Sequence, residues 1–268
     1  MIAFGTVVYP DGVKYLNEFI NSINNQTFCD FELVIVNDQV EYSLLNDCLS
    51  KLKVKFSIVS PEERKTPADL RVDLIKYAKL SGYNLLVLGD VDDLFDNDRI
   101  SEIVSSYEQN RTFSFFYNEL LLFDGTKALQ NFPKITNMVE DILQYNYLGL
   151  SNNSINLDAL TLDFIESLYG CTSFVFDWYL FSRILSNGGK GLFVENAKTL
   201  YRIYDNNFAG VSGEEQLKKE LNVKIKHYEL MVRYDSIYQK LLDKLSKVDI
   251  TEIQSSNLPP YWWNNIKL

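Results

Sequence analysis

The first part of the chain alternates between apolar runs typical of buried strands and segments whose apolar residues recur at helical spacing. The predicted strands are Ile2–Tyr9, Phe31–Val36, Phe56–Val59 and Asn84–Leu88, and the predicted helices are Val13–Asn24, Leu44–Leu52 and Ala68–Leu80. This alternation predicts an α/β fold in which a parallel, Rossmann-like sheet carries helices on both faces.

The fourth predicted strand ends in a run of carboxylates. The acids that follow Gly89 are Asp90, Asp92 and Asp93. Ligands of α/β sheets bind at the carboxyl ends of the strands, and closely spaced carboxylates repel one another unless a cation lies between them. Hard ions such as Mg²⁺ and Mn²⁺ prefer oxygen ligands, so the run indicates a metal site. The alternative is an acidic turn that caps the next helix, which is predicted to begin near Asp96–Asp98.

The composition limits the classes of function. Lys and Arg number 26 against 36 Asp and Glu, and the net charge of −10 argues against a nucleic-acid partner. The cysteines are scattered without metal-ligand spacing, so we expect neither a disulfide framework nor a zinc site. His227 is the only histidine, and we expect it to be a surface or packing residue. Carboxylates and a metal would therefore carry any chemistry.

The chain of 268 residues is long enough for one large α/β domain with or without an appendage. Its first residues lack the basic region and cleavage motif of a signal peptide, and no apolar run approaches the length of a membrane-spanning helix. We therefore expect a cytoplasmic protein.

Beyond the carboxylate run the pattern is less regular. Strand-like runs occur at Phe113–Phe123, Tyr145–Ile155, Gly191–Val194 and Thr199–Ile203, and helical patterns occur at Leu157–Leu168 and Phe174–Leu185. From Glu214 to Val248 the apolar residues recur at helical spacing, and an aromatic tail follows. We expect one domain over residues 1–213 and a C-terminal helical extension with its tail over residues 214–268.

Several segments between Ile2 and Gly210 carry a resemblance through their order and spacing. They are Thr6–Asp38 with a Gln26-Thr27 pair and a strand ending in Asp38, Ala68–Leu74 with Arg71, the LGDVDD run with Asp90 and Asp92, FDWYLFSRIL with Asp177 and Arg183, and LYRIYDNNFAG with Arg202. Together they resemble family 2 glycosyltransferases with the GT-A fold, of the type that builds bacterial surface polysaccharides. The chain departs from the family pattern where Phe176 replaces an acid, where Tyr204 replaces a histidine, and where Val72 or Asp73 replaces the asparagine after Arg71.

The resemblance implies a GT-A Rossmann-like mixed sheet flanked by helices. It also implies an inverting, metal-dependent transfer of a sugar from a nucleotide-diphosphate donor to an acceptor hydroxyl, with Mn²⁺ or Mg²⁺ as the cofactor. The implied residues are Asp38, Arg71, Asp90 and Arg202 for the nucleotide, Asp92 and Asp90 for the metal, and Asp177 as the general base. Trp178 is a candidate wall for a sugar ring, although an aromatic residue at that spacing is more often part of the core.

Other interpretations of these residues stay open. Asp38 and Asp177 each suit an N-cap, and Arg71 suits either a phosphate, an acid that it orients, or solvent. The departures at Phe176 and Tyr204 leave room for a nucleotide-sugar-binding module without turnover. The carboxylate run also resembles the DxD nucleophile of phosphoryl-transfer hydrolases, although it follows the fourth strand rather than the first.

The partners implied for a glycosyltransferase are a nucleotide-sugar donor and a glycan or lipid-linked acceptor, with no nucleic acid. The lysine-rich extension and the tail residues Tyr261, Trp262 and Trp263 are compatible with peripheral contact on the cytoplasmic face of a membrane. Acidic residues interleave with the lysines, however, and this favours packing of the helices on the first domain or on a second subunit.

Overall fold

The strands of the described residues form one mixed sheet with helices on both faces. The structure is a computed structural model that describes residues 1–203, 214–248 and 261–268. The strands are β1 (Ile2–Val8), β2 (Glu32–Asn37), β3 (Lys55–Val59), β4 (Leu85–Leu88), β5 (Leu94–Phe95), β6 (Phe115–Leu121), β7 (Ile135–Thr136), β8 (Asn153–Asn156) and β9 (Gly191–Leu200). The helices are α1 (Leu16–Asn24), α2 (Tyr42–Leu49), α3 (Pro67–Leu80), α4 (Arg99–Gln109), α5 (Leu162–Glu166), α6 (Phe176–Ser186), α7 (Glu214–Met231) and α8 (Ile237–Leu245).

The sheet has the order β3-β2-β1-β4-β8-β6-β9-β5, and β7 pairs with β9. β1 to β4 are mutually parallel, as the alternation predicted, whereas β8 is antiparallel to both β4 and β6. The sheet is therefore mixed, in agreement with the predicted fold. The carboxyl end of β4 lies in the middle of the sheet, where the direction of the strands changes.

Side chains along β1 alternate between two hydrophobic cores. Ala3 and Val7 belong to the core that includes α3 and α6, and Phe4 and Val8 belong to the core that includes α1 and α4. Helices thus cover both faces of the parallel strands, which explains why β4 is apolar and buried at every position.

The region from residue 145 to residue 203 differs from its predicted elements. Gly191–Val194 and Thr199–Ile203 were predicted as two strands. The structure has one strand, β9, which ends at Leu200 and has an irregular register opposite Asn118 and Glu119. Most of the predicted strand Tyr145–Ile155 is loop, because its asparagine side chains hydrogen-bond to nearby backbone groups instead of leaving the backbone to pair.

The C-terminal helices pack on the rest of the described chain. His227 of α7 lies flat against Trp178 of α6, with ring centroids 4.2 Å apart, and both side chains are fully buried. Burial lowers the pKa of His227 to about 3, so its ring is neutral and serves packing. The extension shares a hydrophobic core with the first part of the chain, and the boundary at residue 213 stays a prediction. Among the described helices, none is long and apolar enough to cross a bilayer.

Candidate active site

The chain leaves β4 through a crowded turn. A Cβ atom at Gly89 would lie 2.4 Å from Cζ of Phe95 and 2.5 Å from Cζ of Phe4. Only glycine fits between these rings. Because residue 89 is a glycine, the backbone passes close to the rings, and Asp90 follows at the edge of the sheet. The backbone N–H of Asp90 then donates to Oγ of Ser151, 3.2 Å away, and this bond ties the turn to the loop before β8.

Arg71 of α3 lies beside Asp90. Its Nη2 is 3.4 Å from Oδ1 of Asp90, and its Nη1 donates to the carbonyl of Pro67 at 3.0 Å. Of the positions open for Arg71, the structure therefore has it beside an acid. Both side chains stay partly exposed and line a cavity of about 810 Å³.

A fully buried arginine holds the turn that carries Asp90, Asp92 and Asp93, which we call the carboxylate turn. Arg99 begins α4 and donates to the carbonyl of Leu88 at 2.8 Å, the carbonyl of Ser151 at 2.9 Å and Oδ1 of Asn118 at 3.1 Å. Burial lowers its pKa to about 9, and the negative charge of Asp93 opposes this shift. Arg99 thus fixes the ends of three chain segments at the place where the acids emerge.

Asp93 is the buried member of the carboxylate run. Its Oδ1 accepts the backbone N–H of Arg202 at 2.9 Å, whereas its Oδ2 has no hydrogen-bond partner among the described residues. Burial, together with the charges of Asp92 and Asp90, raises the pKa of Asp93 well above its usual range. This mutual repulsion among the acids is relieved by added positive charge, so the turn fits a cation.

Asp177 faces the same cavity as Arg71 and Asp90. It lies in the first turn of α6, whose N-cap is Val175, so the alternative prediction of an N-cap at Asp177 is wrong. Its Oδ1 accepts the backbone N–H of Trp178 at 2.6 Å. Burial raises the pKa of Asp177 to about 7, and the opposing effects of that N–H and of Arg71 are smaller. A carboxyl group with this pKa gains and loses a proton near neutral pH.

Asp38 and Arg202 lie outside the lining of this cavity. Asp38 is half-buried directly after β2, and its N–H donates to the carbonyl of Val8. The N-cap of α2 is Glu41, so the alternative prediction of a cap at Asp38 is wrong.

Arg202 is held against the carboxylate turn. It donates to the carbonyl of Asp92 at 2.8 Å and pairs with Glu18 at 2.5 Å, and its guanidinium lies 4.5 Å from the ring centres of Tyr15 and Phe123. Tyr204 and residues 205–213 lie outside the described residues.

Trp178 does not line the cavity, and the prediction that it forms a sugar wall is wrong. Its side chain is fully buried, stacks on His227 and donates from Nε1 to the carbonyl of Ile142 at 2.7 Å. At the first turn of α6, Asp177 faces the cavity and its neighbour Trp178 points into the core, because adjacent helical residues lie on different faces.

Half of the aromatic residues that do line the cavity come from the tail. These are Tyr261, Trp262 and Trp263, and the others are Phe174, Phe176 and Tyr201. The tail aromatics therefore belong to the wall of the cavity, and peripheral membrane contact stays a prediction. Lys224 of the basic extension is also unavailable to a membrane, because it is fully buried and paired with Glu220.

Sequence reasoning missed both Arg99 and the role of the tail. An arginine after Asp98 at the start of a helix has the local pattern of an exposed residue, and nothing nearby in the sequence predicts its burial. Glu220 and Lys224, four residues apart on a helix, did carry a signal for an ion pair.

The described residues contain no group of three or more His, Cys, Asp or Glu side chains arranged to hold a metal ion. Asp90 and Asp92 alone therefore form at most part of a coordination shell. This arrangement suits Mg²⁺ or Mn²⁺ in sites where one or two carboxylates bind the ion together with the phosphates of a substrate.

Comparisons with known proteins agree with this geometry. The sequence model of "Glycosyl transferase family 2" matches residues 6–141. The structure is similar to that of S. aureus TarS 1-349 in complex with UDP-GlcNAc, at 14% identity over 91% of this chain and 71% of that chain, with a TM-score of 0.60. It is also similar to the mannosyltransferase PcManGT from Pyrobaculum calidifontis in complex with GDP-Man and Mn²⁺, at 12% identity over 91% of this chain and 68% of that chain, with a TM-score of 0.58. A comparison with curated protein sequences gave no match. At these identities the structural likeness establishes the fold.

Proposed function

The chain belongs to glycosyl transferase family 2 and is a glycosyltransferase of the GT-A fold, and from this premise we propose that it transfers a sugar from a nucleoside-diphosphate donor to an acceptor hydroxyl with inversion. One observation carries the proposal. A single cavity brings the Arg71–Asp90 pair together with Asp177, a carboxyl group whose pKa of about 7 suits a general base.

In the proposed reaction Asp177 accepts the proton of the acceptor hydroxyl as its oxygen attacks the anomeric carbon. The bond from that carbon to the diphosphate oxygen breaks, and the electron pair leaves with the nucleoside diphosphate. A single displacement from the opposite face inverts the anomeric configuration and requires no covalent intermediate on the protein. The proton-accepting role is open to Asp177 once it is ionised, which happens above its raised pKa.

Asp90 and Asp92 are the proposed carboxylates for a divalent cation. When bound, Mg²⁺ or Mn²⁺ would neutralise charge on the departing diphosphate. Burial raises the pKa of Asp93, and the charges of Asp92 and Asp90 raise it further; this repulsion supports a cation at the turn, as does the Mn²⁺ in the similar mannosyltransferase structure. Arg71 lies beside Asp90, with Nη2 3.4 Å from Oδ1, and from this position it would place a second positive charge beside the phosphates.

Asp38 is the proposed acceptor for a base N–H, because its half-buried carboxylate has no hydrogen bond or ion pair with the described residues. Arg202 is proposed to act near the diphosphate, where its contacts with the Asp92 carbonyl and Glu18 already hold it beside the acids. A cytoplasmic location and a role in surface glycan synthesis stay predictions.

The hydrolase and the binding module are both less well supported than the glycosyltransferase. Family membership argues against the phosphoryl-transfer hydrolase. The position of Asp177 in the same cavity as the Arg71–Asp90 pair, together with its raised pKa, favours turnover over binding alone. Phe176, which replaces the family's acid, is buried in the hydrophobic core and contributes its ring to packing.

Replacement of Asp92 by Asn tests the metal site. For the wild type, a screen of UDP, dTDP, GDP and CMP with and without Mn²⁺ should give a metal-dependent rise in melting temperature with one of the nucleotides. At a ligand concentration one hundred times Kd the free energy of unfolding rises by about 2.7 kcal/mol, which is several degrees for a protein of this size. Asp92→Asn should abolish the metal-dependent part of that rise.

Asp98→Asn is the matched control, because Asp98 is an exposed acid in the same segment whose carboxylate bonds to Thr27. It should keep the full response to Mn²⁺. An undiminished metal dependence in Asp92→Asn would contradict the assignment of this residue as a ligand.

A further inference from the structure

The wall of the cavity has two chemically different parts. Arg71 and Asp90 supply charge on one part, and the tail residues Trp262 and Trp263 supply aromatic surface on another. Asp177 lines the same space. A donor with two phosphates requires the charged part, and the aromatic part of the wall suits a ligand of different chemistry.

Hydrogen bonds to two other segments of the chain hold the tail in place. Trp262 exchanges two backbone hydrogen bonds with Asn146, at 2.9 and 3.0 Å. The hydroxyl of Tyr261 donates to the carbonyl of Asn131 at 2.5 Å. These bonds fix the backbone of the tail as an added edge of the wall, so its aromatic rings have defined positions.

A buried ion pair locks the next residues of the tail to α7. Glu220 and Lys224 are almost completely buried, and they pair with each other. Glu220 accepts the backbone N–H groups of Asn265 at 3.2 Å and Ile266 at 2.7 Å, and Lys224 donates to the carbonyl of Ile266. Burying two charges to hold a short segment of chain is costly, and their pairing with each other and hydrogen bonds to the tail offset that cost here.

One packing contact and one backbone angle show how closely the tail packs against the cavity wall. A Cβ atom at Gly149 would lie 2.9 Å from Cη2 of Trp262, so this ring packs directly on the loop before β8. Trp263 has a φ of 64°, in the left-handed region that a bulky residue rarely adopts. Such strain persists only where the surroundings enforce it, and it is concentrated at functional sites.

We propose, on the basis of the proposed function, that Trp262 and Trp263 form the acceptor subsite and that this subsite binds the ring of a saccharide. A pyranose ring has apolar C–H faces that pack on aromatic rings and hydroxyl groups that require polar partners. The cavity supplies both, because Thr172 and Gln216 line it together with the two tryptophans. A lipid chain would leave the polar groups of Thr172 and Gln216 without partners.

The test uses two variants of Trp263 in the full-length protein. Trp263→Asn removes the aromatic face and suits the left-handed backbone, whereas Trp263→Phe keeps an aromatic face as the matched control. The probes are the methyl α- and β-glycosides of glucose, galactose, mannose and N-acetylglucosamine. Calorimetry measures their Kd in the presence of Mn²⁺ and the nucleoside diphosphate that stabilises the protein.

The wild type should bind at least one of these glycosides. Trp263→Asn should weaken that binding by about tenfold, equivalent to 1.4 kcal/mol, and Trp263→Phe should weaken it far less. Nucleoside diphosphate affinity should be the same in all three proteins. Equal glycoside affinity in Trp263→Asn and the wild type would overturn the proposal, as would a wild type that binds nucleotide and none of the glycosides.

Intrinsic fluorescence gives a second reading of the same site. The chain has three tryptophans, and the third, Trp178, is fully buried away from the cavity. A bound glycoside should therefore change the emission of the wild type through the tail tryptophans alone. If the wild type binds no nucleotide and hydrolyses no nucleotide sugar, the proposed function itself fails. Nucleotide binding with no glycoside response rejects only the subsite.

Discussion

Replacement of Asp177 by Asn should lower kcat for glycosyl transfer by about 10²–10⁴, the usual effect of losing a general base. The amide keeps the shape of the carboxyl group, and its oxygen still accepts the N–H of Trp178. It cannot take up the proton of the acceptor hydroxyl. Nucleotide and metal affinity should change little, because those ligands are assigned to Asp38, Asp90 and Asp92. Kinetics with a donor found by screening, together with nucleotide titrations, check both expectations.

The pH dependence of the wild type gives an independent test of Asp177. Since the ionised carboxylate accepts the proton, kcat/KM should rise with pH up to a pKa of about 7 and level off above it. The residual activity of Asp177→Asn should lack this acid limb. If the acid limb of the kcat/KM profile persists unchanged in Asp177→Asn, the limb reports the ionisation of another group.

Stability separates a catalytic role of Asp177 from a structural one. Its folded-state pKa of about 7 lies above the ordinary value of 3.8, so ionisation favours unfolding as the pH rises from about 4 to about 7. Asp177→Asn removes this effect, and its melting temperature at pH 8 should equal or exceed that of the wild type. Asp163→Asn is the matched control, because Asp163 is an exposed acid in the first turn of α5. It should retain wild-type turnover.

Replacement of Arg99 by Leu should destabilise the fold by about 3–5 kcal/mol, as expected when a buried charge that holds several hydrogen bonds is removed. The carbonyls of Leu88 and Ser151 would lose their charged donor, and Asp93 would lose a nearby positive charge. Chemical denaturation measures the change.

Arg64→Leu is the control for Arg99→Leu, because Arg64 is exposed and its replacement should alter stability by no more than about 0.5 kcal/mol. A loss of less than 1 kcal/mol in Arg99→Leu would show that the buried hydrogen bonds do not hold the carboxylate turn.

The parallel half of the sheet could be predicted because its information is local. Apolar runs such as Leu85–Leu88 are buried on both faces, and Pro67 at the start of α3 marks a helix start in the sequence itself. Asp90 was predicted as a site residue because it follows such a strand, whereas the resemblance supplied the role of Asp177 as the general base. Their meeting in one cavity is a finding of the structure.

The features that sequence analysis missed depend on contacts between distant segments. Arg99 is buried because the loop before β8 closes over it, and Trp178 is buried because α7 covers it with His227. The tail reaches the cavity through Asn146 and Glu220, residues that lie far from it in the chain. No local pattern encodes such pairings, because a charged or aromatic side chain has the same neighbours in sequence whether it ends up in the core or at the surface.

The most direct test of the account is the release of nucleoside diphosphate from a panel of UDP-, dTDP- and GDP-sugars with Mn²⁺, measured for the wild type and Asp177→Asn. We expect the wild type to release nucleoside diphosphate from at least one sugar nucleotide, faster when a saccharide acceptor is present, and to form a glycoside of inverted anomeric configuration. Asp177→Asn should bind the same donor and show at least a hundredfold slower release, at the lower end of the general-base effect of about 10²–10⁴. A wild type that releases no nucleoside diphosphate from any donor, a product of retained configuration, or an Asp177→Asn variant as fast as the wild type would contradict the account.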